Sequence, residues 1–257
     1  MPRYAIKVQY DGTPYVGYQV QPNGPSVQAA IEKALCKMAK LPSGQHIPTS
    51  GSGRTDSGVH ALGQVVHFDY PASIHPKAMQ RAFNSLLDTS IRVIDVAQVA
   101  ETFHARYDVA EKEYIYRVDV GQFPDPFKRH YTLHHPYRYD LAKMQRAICD
   151  IVGTHDFTSF CSTKTDKEDK VRTVYEATIM YDEEQHELRF YFRGNGFLYN
   201  MIRILVGTLL QIGDGLRPET ELQRLLAVRN RKQAGPTAPP QGLYMQRVIY
   251  EQDPFNQ

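Results

Sequence analysis

The order of the predicted strands and helices constrains the fold of this chain more than any other feature of its sequence. Alternating apolar residues predict strands, and apolar residues at helical spacing predict helices. From residue 3 the predicted order is strand, helix, strand, helix, strand; from residue 113 it is strand, helix, a two-stranded hairpin, two helices and a strand. A doubly wound parallel sheet requires strict alternation, so this order predicts two α+β domains with mixed, largely antiparallel sheets.

Local patterns place the individual elements. The predicted strands span residues 3–11, 65–70, 91–99, 113–120, 173–181, 187–192 and 243–250. The predicted helices follow Ser26, carry Met79 to Leu87, follow Asp140, and run from Gly196 to Ile212 and from Pro218 to about Arg229. The connection at residues 101–112 is the predicted boundary, which gives an N-terminal domain of residues 1–105 and a C-terminal domain of residues 106–257.

The composition is that of a globular protein. The chain has 257 residues, of which 42% are hydrophobic and 23% charged, so it can bury a core without disulfides or metals. Its three cysteines show no CxxC spacing, which favours a reducing compartment. The sequence contains no apolar run near the roughly 18 residues of a membrane span and no pattern of a signal peptide. We therefore expect a cytoplasmic protein with no membrane partner.

The distribution of charge, rather than the net charge of +2, points to a polyanionic partner. Residues 127–131 and 134–139 interleave aromatic and basic side chains, as single-stranded RNA sites do. Arg229, Arg231 and Lys232 form a second basic cluster. Solvated loops with incidental charge explain both segments equally well. The mixed-charge stretch at residues 164–172 is predicted to be a mobile surface loop rather than a site.

The sequence predicts neither a cofactor nor a metal site. The segment Gly51-Ser52-Gly53-Arg54 does not match a phosphate-binding loop or a dinucleotide fingerprint. None of the ten histidines pairs with another at HxxxH spacing beside an acidic residue. Catalysis, if present, is therefore expected to rest on the protein's own side chains.

One carboxylate stands out in the glycine-rich segment at residues 53–61. Asp56 precedes a predicted strand and follows Arg54 by two residues. An Asx-turn, in which the carboxylate only closes the loop, is one interpretation. The other is a reactive carboxylate on a rigid turn, kept ionised by a nearby cation. Arg203, inside a predicted apolar helix, is costly to place there unless it pairs with a carboxylate or reaches a cleft.

Several segments, in order along nearly the whole chain, resemble the tRNA pseudouridine synthase A family. They are Tyr10-Asp11-Gly12-Thr13, Gly17-Tyr18-Gln19, Ser26-Val27-Gln28, Gly53-Arg54-Thr55-Asp56-Ser57-Gly58-Val59-His60-Ala61, Phe103-His104-Ala105-Arg106, Lys112-Glu113-Tyr114-Ile115-Tyr116, His155-Asp156-Phe157-Thr158-Ser159-Phe160, Gly196-Phe197-Leu198-Tyr199-Asn200-Met201-Ile202-Arg203 and Ala234-Gly235-Pro236-Thr237-Ala238-Pro239. Tyr18 stands where members usually carry tryptophan, and we expect this change to affect packing alone.

The resemblance implies the pseudouridine synthase fold, with two α+β domains joined into one extended sheet with a central catalytic cleft. It implies a homodimer without cofactor that isomerises uridine to pseudouridine at positions 38–40 of the tRNA anticodon arm. At the matching positions, Asp56 becomes the catalytic nucleophile and Arg54 helps to displace the target base. Tyr114 stacks on that base, and Arg203 pairs with Asp56.

Two other functions compete with this hypothesis. A non-catalytic tRNA-binding protein on the same scaffold would use Asp56 only to close a turn, but binding alone does not need a carboxylate facing RNA phosphates. A nucleoside glycosidase would release free uracil, whereas an isomerase releases nothing. The sequence also leaves open whether Asp56 attacks C1′ or removes a proton from C2′ of the ribose.

Overall fold

The computed structural model describes residues 1–165 and 168–256, and the chain divides into two compact units. Unit 1 contains Met1–Ala110 together with the C-terminal residues from Tyr244, and unit 2 contains Glu111–Leu243. Asp166 and Lys167, which belong to the stretch predicted as a mobile loop, lie outside the described residues. In the described part of the chain, every helix is too short or too polar to cross a membrane.

Unit 1 is built on a mixed sheet. Its strands are β1 (Arg3–Tyr10), β2 (Ser50–Gly51), β3 (His60–Asp69), β4 (Ile91–Val99) and β10 (Leu243–Tyr250). β1 lies between β4 and β3 and runs antiparallel to both, so that Ile6 stands opposite Val66 and Val96. β2 pairs antiparallel with Val66 and His67 in the second half of β3, while β10 runs parallel to the start of β3.

Two helices complete unit 1. They are α1 (Val27–Met38) and α2 (Pro76–Leu86). The Ser26 hydroxyl accepts a hydrogen bond from the Ala29 amide at 3.2 Å and so caps α1 as the sequence predicted. Ile31 and Leu35 of α1, like Met79 and Phe83 of α2, are fully buried, which places the apolar stripe of each helix in the core.

Unit 2 contains five strands and three helices in the described residues. Its strands are β5 (Val109–Asp119), β6 (Leu133–His134), β7 (Gly153–Asp156), β8 (Val171–Asp182) and β9 (Glu187–Gly194), in the spatial order β5, β9, β8, β7. Neighbours in that order are antiparallel, and β6 pairs parallel with the end of β5. The helices are α3 (Leu141–Ile148), α4 (Met201–Gly213) and α5 (Glu221–Val228), with short 3-10 turns at 149–151, 158–160, 231–233 and 240–242.

The predicted fold class is confirmed, since the described chain combines helices with a ten-stranded, mainly antiparallel mixed sheet. The predicted hairpin is β8 and β9, and Asp140 caps α3 by accepting from the Lys143 amide at 2.9 Å. The predicted start of the apolar helix at Gly196 is wrong, because α4 begins at Met201. Gly196 and Asn200 have φ values of 155° and 62°, which no right-handed helix contains.

The division into units differs from the sequence-based boundary at the chain's C-terminus. β10 belongs to unit 1 because Tyr244 and Met245 pair with His60 and Ala61 at the start of β3. A pairing between residues so far apart in sequence leaves no mark in the local pattern of either strand.

Candidate active site

Asp56 lies in the loop that joins β2 to β3, within the segment 52–59 that we call the Asp56 loop. Its side chain is half-buried, the preceding Thr55 is buried and Arg54 is exposed. Asp56 forms an antiparallel bridge with Gly17, so the chain is locally extended at this point. The loop therefore presents Arg54 and Asp56 on the side opposite to the inward-facing Thr55.

Backbone hydrogen bonds hold the path of this loop. The Tyr18 amide donates to the Thr55 carbonyl oxygen at 3.1 Å, and the Val59 amide donates to the Asp56 carbonyl oxygen at 3.1 Å. These bonds join main-chain atoms, so they restrain the loop whatever the Asp56 carboxylate contacts. Both interpretations of Asp56, the Asx-turn and the reactive carboxylate, stay predictions.

Two glycines allow a second loop, at residues 11–18, to approach the Asp56 loop closely. A Cβ atom at Gly12 would lie 2.1 Å from the Val59 carbonyl oxygen. A Cβ atom at Gly17, where φ is 127°, would lie 2.8 Å from the Thr55 carbonyl oxygen. Only glycine fits either place, which explains physically why these residues belong to the motif.

His60 contacts the loop at residues 11–18 and follows the Asp56 loop directly in the chain. Its ring is buried, and its Nδ1 accepts a hydrogen bond from the Gly12 amide at 3.1 Å. Nδ1 also lies 3.2 Å from Oδ1 of Asp11, and the ring stacks on Tyr244 of β10 with centroids 4.7 Å apart. These contacts give His60 a structural role in holding the loop at residues 11–18, rather than the role of an exposed acid or base.

In unit 2, Tyr114 lies on β5 opposite Phe192 of β9. Its ring is half-buried and meets Phe197 edge to face, with centroids 5.3 Å apart and planes at 78°. Such contacts fix the orientation of an aromatic ring. Tyr114 therefore offers a held, partly accessible ring of the kind on which a nucleobase stacks.

Arg203 lies in the apolar helix α4, as predicted, but in its first turn, where it is half-buried. Its Nε donates to the Ala238 carbonyl oxygen at 2.7 Å, and its Nη1 donates to Oδ1 of Asn200 at 3.0 Å. The Ala238 amide in turn donates to the Arg203 carbonyl oxygen at 3.0 Å. The start of α4 and the segment 234–239 thus hold the guanidinium at one end.

The segment 234–239 is pressed against α4 and β5. A Cβ atom at Gly207 would lie 2.0 Å from the Pro236 carbonyl oxygen, so helix and segment touch through their backbones. The buried Tyr116, two residues beyond Tyr114 on β5, donates its hydroxyl proton to the Pro239 carbonyl oxygen at 2.7 Å. Burial raises the pKa of Tyr116 above its usual range, and the positive charge of Arg203 opposes that rise. Arg203 and Tyr116 therefore bind neighbouring carbonyl oxygens, which places Arg203 close to β5, the strand that carries Tyr114.

The four predicted site residues thus fall into two groups. Arg54 and Asp56 share one loop of unit 1, while Tyr114 and Arg203 belong to unit 2. The pairing of Asp56 with Arg203 stays a prediction.

Comparison with known proteins decides the family. A family model described as tRNA pseudouridine synthase matches residues 6–108 and 147–251. The chain belongs to this family. It is 53% identical to the tRNA pseudouridine synthase A of Latilactobacillus sakei subsp. sakei (strain 23K) over 97% of this chain and 99% of that protein. It is 51% identical to that of Lacticaseibacillus casei (strain BL23) over 97% of this chain and 100% of that protein.

The family predicted from the sequence motifs is therefore confirmed, and with it the enzyme class. The protein is a tRNA pseudouridine synthase, an isomerase that converts uridine to pseudouridine in tRNA. The match extends over almost the full length of these relatives, so both units belong to the enzyme.

Parts of the basic and aromatic segments of this synthase have internal structural roles. Lys128 and Arg117 both bind the fully buried Glu187, at 3.2 Å and 2.8 Å. Nε2 of His135 lies 2.8 Å from Oδ1 of Asp214. The residues of segment 127–139 that remain exposed and able to meet a partner are Phe127, Arg129, His130, Tyr131, Pro136, Tyr137 and Arg138.

The second basic cluster, Arg229, Arg231 and Lys232, also contains residues with internal contacts beside an exposed one. Arg231 donates to the Gly235 carbonyl oxygen and to Oγ1 of Thr237, each at 3.0 Å, and so supports the segment that holds Arg203. Arg229 lies 3.4 Å from the Asp156 carboxylate. Lys232 is exposed. Sequence reasoning missed Glu187 because only the folded sheet shows that its carboxylate is buried and paired.

A metal centre finds no support in the part of the chain that the structure describes, where no three His, Cys, Asp or Glu side chains are grouped to hold an ion.

Proposed function

We propose that this tRNA pseudouridine synthase acts on uridines 38–40 of the anticodon arm and that Asp56 is its catalytic group. The observation that supports this assignment is the Asp56 loop itself. Its path is held by main-chain hydrogen bonds from Tyr18 and Val59, so the half-buried Asp56 stands on a restrained loop of the kind that often carries reactive groups.

The reaction breaks the bond between C1′ and N1 of uridine and forms a bond between C1′ and C5. In the proposed mechanism Asp56 either attacks C1′, as the nucleophile of a retaining glycosidase does, or removes the C2′ proton. The uracil stays in the site, turns and rejoins the ribose through C5. Both routes require the ionised carboxylate, and we assign to Arg203 the role of the cation that keeps Asp56 ionised.

The target base must first leave the stacked stem, which costs a few kcal/mol. Arg54 is exposed next to Asp56 and is proposed to occupy the space that the base vacates. Tyr114, held edge to face by Phe197, is proposed to stack under the flipped uracil. These two contacts offset the cost of flipping.

The proposal includes a homodimer that binds one tRNA across both subunits, works in the cytoplasm and needs no cofactor. The exposed aromatic and basic side chains of segment 127–139 are suited to contacts with RNA.

The decisive experiment replaces Asp56 by asparagine, which keeps the shape of the side chain and its ability to form an Asx-turn but removes the anion. We expect pseudouridine formation to fall to background while the fold and tRNA binding are retained, because an amide is neither a nucleophile nor a base here. The measurement is reverse-phase analysis of nucleosides from treated tRNA, with the modified position mapped by primer extension.

Asp253→Asn is the matched control, since that carboxylate accepts a hydrogen bond from the Phe255 amide at 3.0 Å in an ordinary turn. It should retain wild-type turnover. Multiple-turnover activity in Asp56→Asn, free of contaminating wild-type enzyme, would remove Asp56 from the mechanism. Release of free uracil by the wild-type protein would favour the glycosidase, and binding with no product would favour the non-catalytic protein.

A further inference from the structure

A buried hydrogen bond lies directly beneath the proposed catalytic residue. The hydroxyl of Tyr10, the last residue of β1, is 2.8 Å from Oγ1 of Thr55. Tyr10 is 4% exposed and Thr55 is 7% exposed, so water does not compete for this bond. Burial raises the pKa of Tyr10 above its usual range, and its hydroxyl stays neutral.

A second buried side chain holds the loop on the other side of Arg54. Nε2 of Gln64, in β3, donates to the Gly53 carbonyl oxygen at 2.8 Å, and Oε1 of Gln64 accepts from the Ser52 hydroxyl. Gln64 is fully buried. Gly53 and Thr55 are therefore both attached to the sheet by side chains, while Arg54 between them faces outward.

The alternation of an extended chain links this attachment to the direction of Asp56. Adjacent side chains in an extended segment point to opposite faces. Arg54 is exposed, Thr55 is buried, and Asp56, which bridges Gly17, is half-buried, as this alternation requires. Main-chain hydrogen bonds restrain the position of the extended segment more strongly than they restrain its rotation about its own axis. A hydroxyl bond that holds Thr55 inward removes that freedom and sets the outward direction of its neighbour.

We infer that Tyr10 is a positioning residue for the isomerisation, which holds the Asp56 carboxylate in its reactive direction through the hydroxyl of Thr55. The inference rests on the proposed role of Asp56. A displacement of about 1 Å at a reacting group costs roughly 100-fold in rate, so loss of this one bond is expected to lower kcat roughly 10- to 100-fold.

A double-mutant cycle tests this inference. Tyr10→Phe keeps the ring and removes the hydroxyl, Thr55→Val removes the partner hydroxyl, and the third variant carries both changes. Each single variant should lose kcat while KM for tRNA changes less than about twofold. The double variant should be no slower than the slower single variant, because the two changes remove the same bond. Thr55→Ser, which retains the hydroxyl, should recover most of the activity.

Tyr4→Phe is the matched control. Tyr4 lies on the same strand, is fully buried, and donates its hydroxyl proton to the Ile74 carbonyl oxygen at 2.9 Å, away from the Asp56 loop. Since the Tyr4 hydroxyl also accepts from the Ile74 amide at 2.9 Å, Tyr4→Phe should lower the melting temperature at least as much as Tyr10→Phe, without changing kcat. That difference separates positioning from a general loss of stability.

Two results would overturn the inference: Tyr10→Phe with wild-type kcat, or kcat losses that multiply in the double variant. Asp56→Asn is assayed alongside. If Asp56→Asn retains turnover, the proposed function fails whatever Tyr10 does. If Asp56→Asn is inactive and Tyr10→Phe is fully active, only the positioning role fails.

Discussion

Acidification from pH 7 to pH 5 should destabilise unit 1 through His67, and His67→Asn should remove that part of the loss. His67 lies in β3 and is 7% exposed. Its Nδ1 accepts a hydrogen bond from the Ala105 amide at 3.1 Å, so the folded protein needs the neutral ring. Burial, with smaller contributions from His104 and Arg3, lowers the pKa of His67 from 6.5 to about 4.

The sign follows from proton uptake. The folded pKa is below the unfolded value, so as the pH falls below about 6.5 the unfolded chain binds a proton that the folded chain refuses. The contribution of His67 to the free energy of unfolding is constant above that pH, declines between about pH 6.5 and pH 4, and is constant again below pH 4. With these two values the loss at pH 5 reaches about 2 kcal/mol, and residual hydration of the ring reduces it to about 1 to 2 kcal/mol.

The assay is urea unfolding followed by circular dichroism at pH 7 and pH 5. Asparagine places Oδ1 where Nδ1 of histidine stands, so His67→Asn keeps the bond to Ala105 and removes the titrating group. The pH-dependent loss should be about 1 to 2 kcal/mol smaller in His67→Asn than in wild type. His46→Asn, at an exposed position, should behave as wild type. Equal losses in wild type and His67→Asn would refute the reasoning.

Two further outcomes are expected. Glu187→Gln should lower the free energy of unfolding by about 3 kcal/mol, because Arg117 and Lys128 would lose the buried carboxylate that both contact. Urea unfolding measures this, with Glu184→Gln at an exposed position as the control. Equal stabilities of the two variants would contradict the prediction. Light scattering at micromolar concentration should give a dimer mass, and tRNA affinity should fall steeply with salt as phosphate contacts release counterions. A fully active monomer would overturn the dimer.

Elements that depend on neighbouring residues could be predicted from the sequence. Ser26 and the apolar stripe after it determine α1, and the β-branched run from Ile91 determines β4. Elements that depend on distant residues could not. The parallel pairing of β10 with β3 and the start of α4, set by the positive φ of Asn200, both depend on partners or conformations that periodicity does not record.

The candidate site divides along the same line. The motif around Asp56 was visible because its residue types are unusual together. The hydrogen bond between Tyr10 and Thr55 was not, because a strand tyrosine is normally a core residue and nothing local shows which hydroxyl it meets. Arg203 was singled out by its apolar surroundings, yet its contacts with Asn200 and Ala238 emerge only from the fold.

The backbone contact between Gly207 and Pro236 has a consequence for how variants of this enzyme are classified. A methyl group at position 207 would meet a carbonyl oxygen 2.0 Å away, and helix and segment would have to separate. The same segment carries the Ala238 carbonyl oxygen that Arg203 binds. An apolar replacement of Gly207, in the middle of α4, would therefore displace the group that holds Arg203. In a genetic screen it would lose activity as a change of an active-site residue does. Eleven of the thirteen residues of α4 are buried, and at position 207 the contact between two main chains leaves room for hydrogen, the smallest side chain.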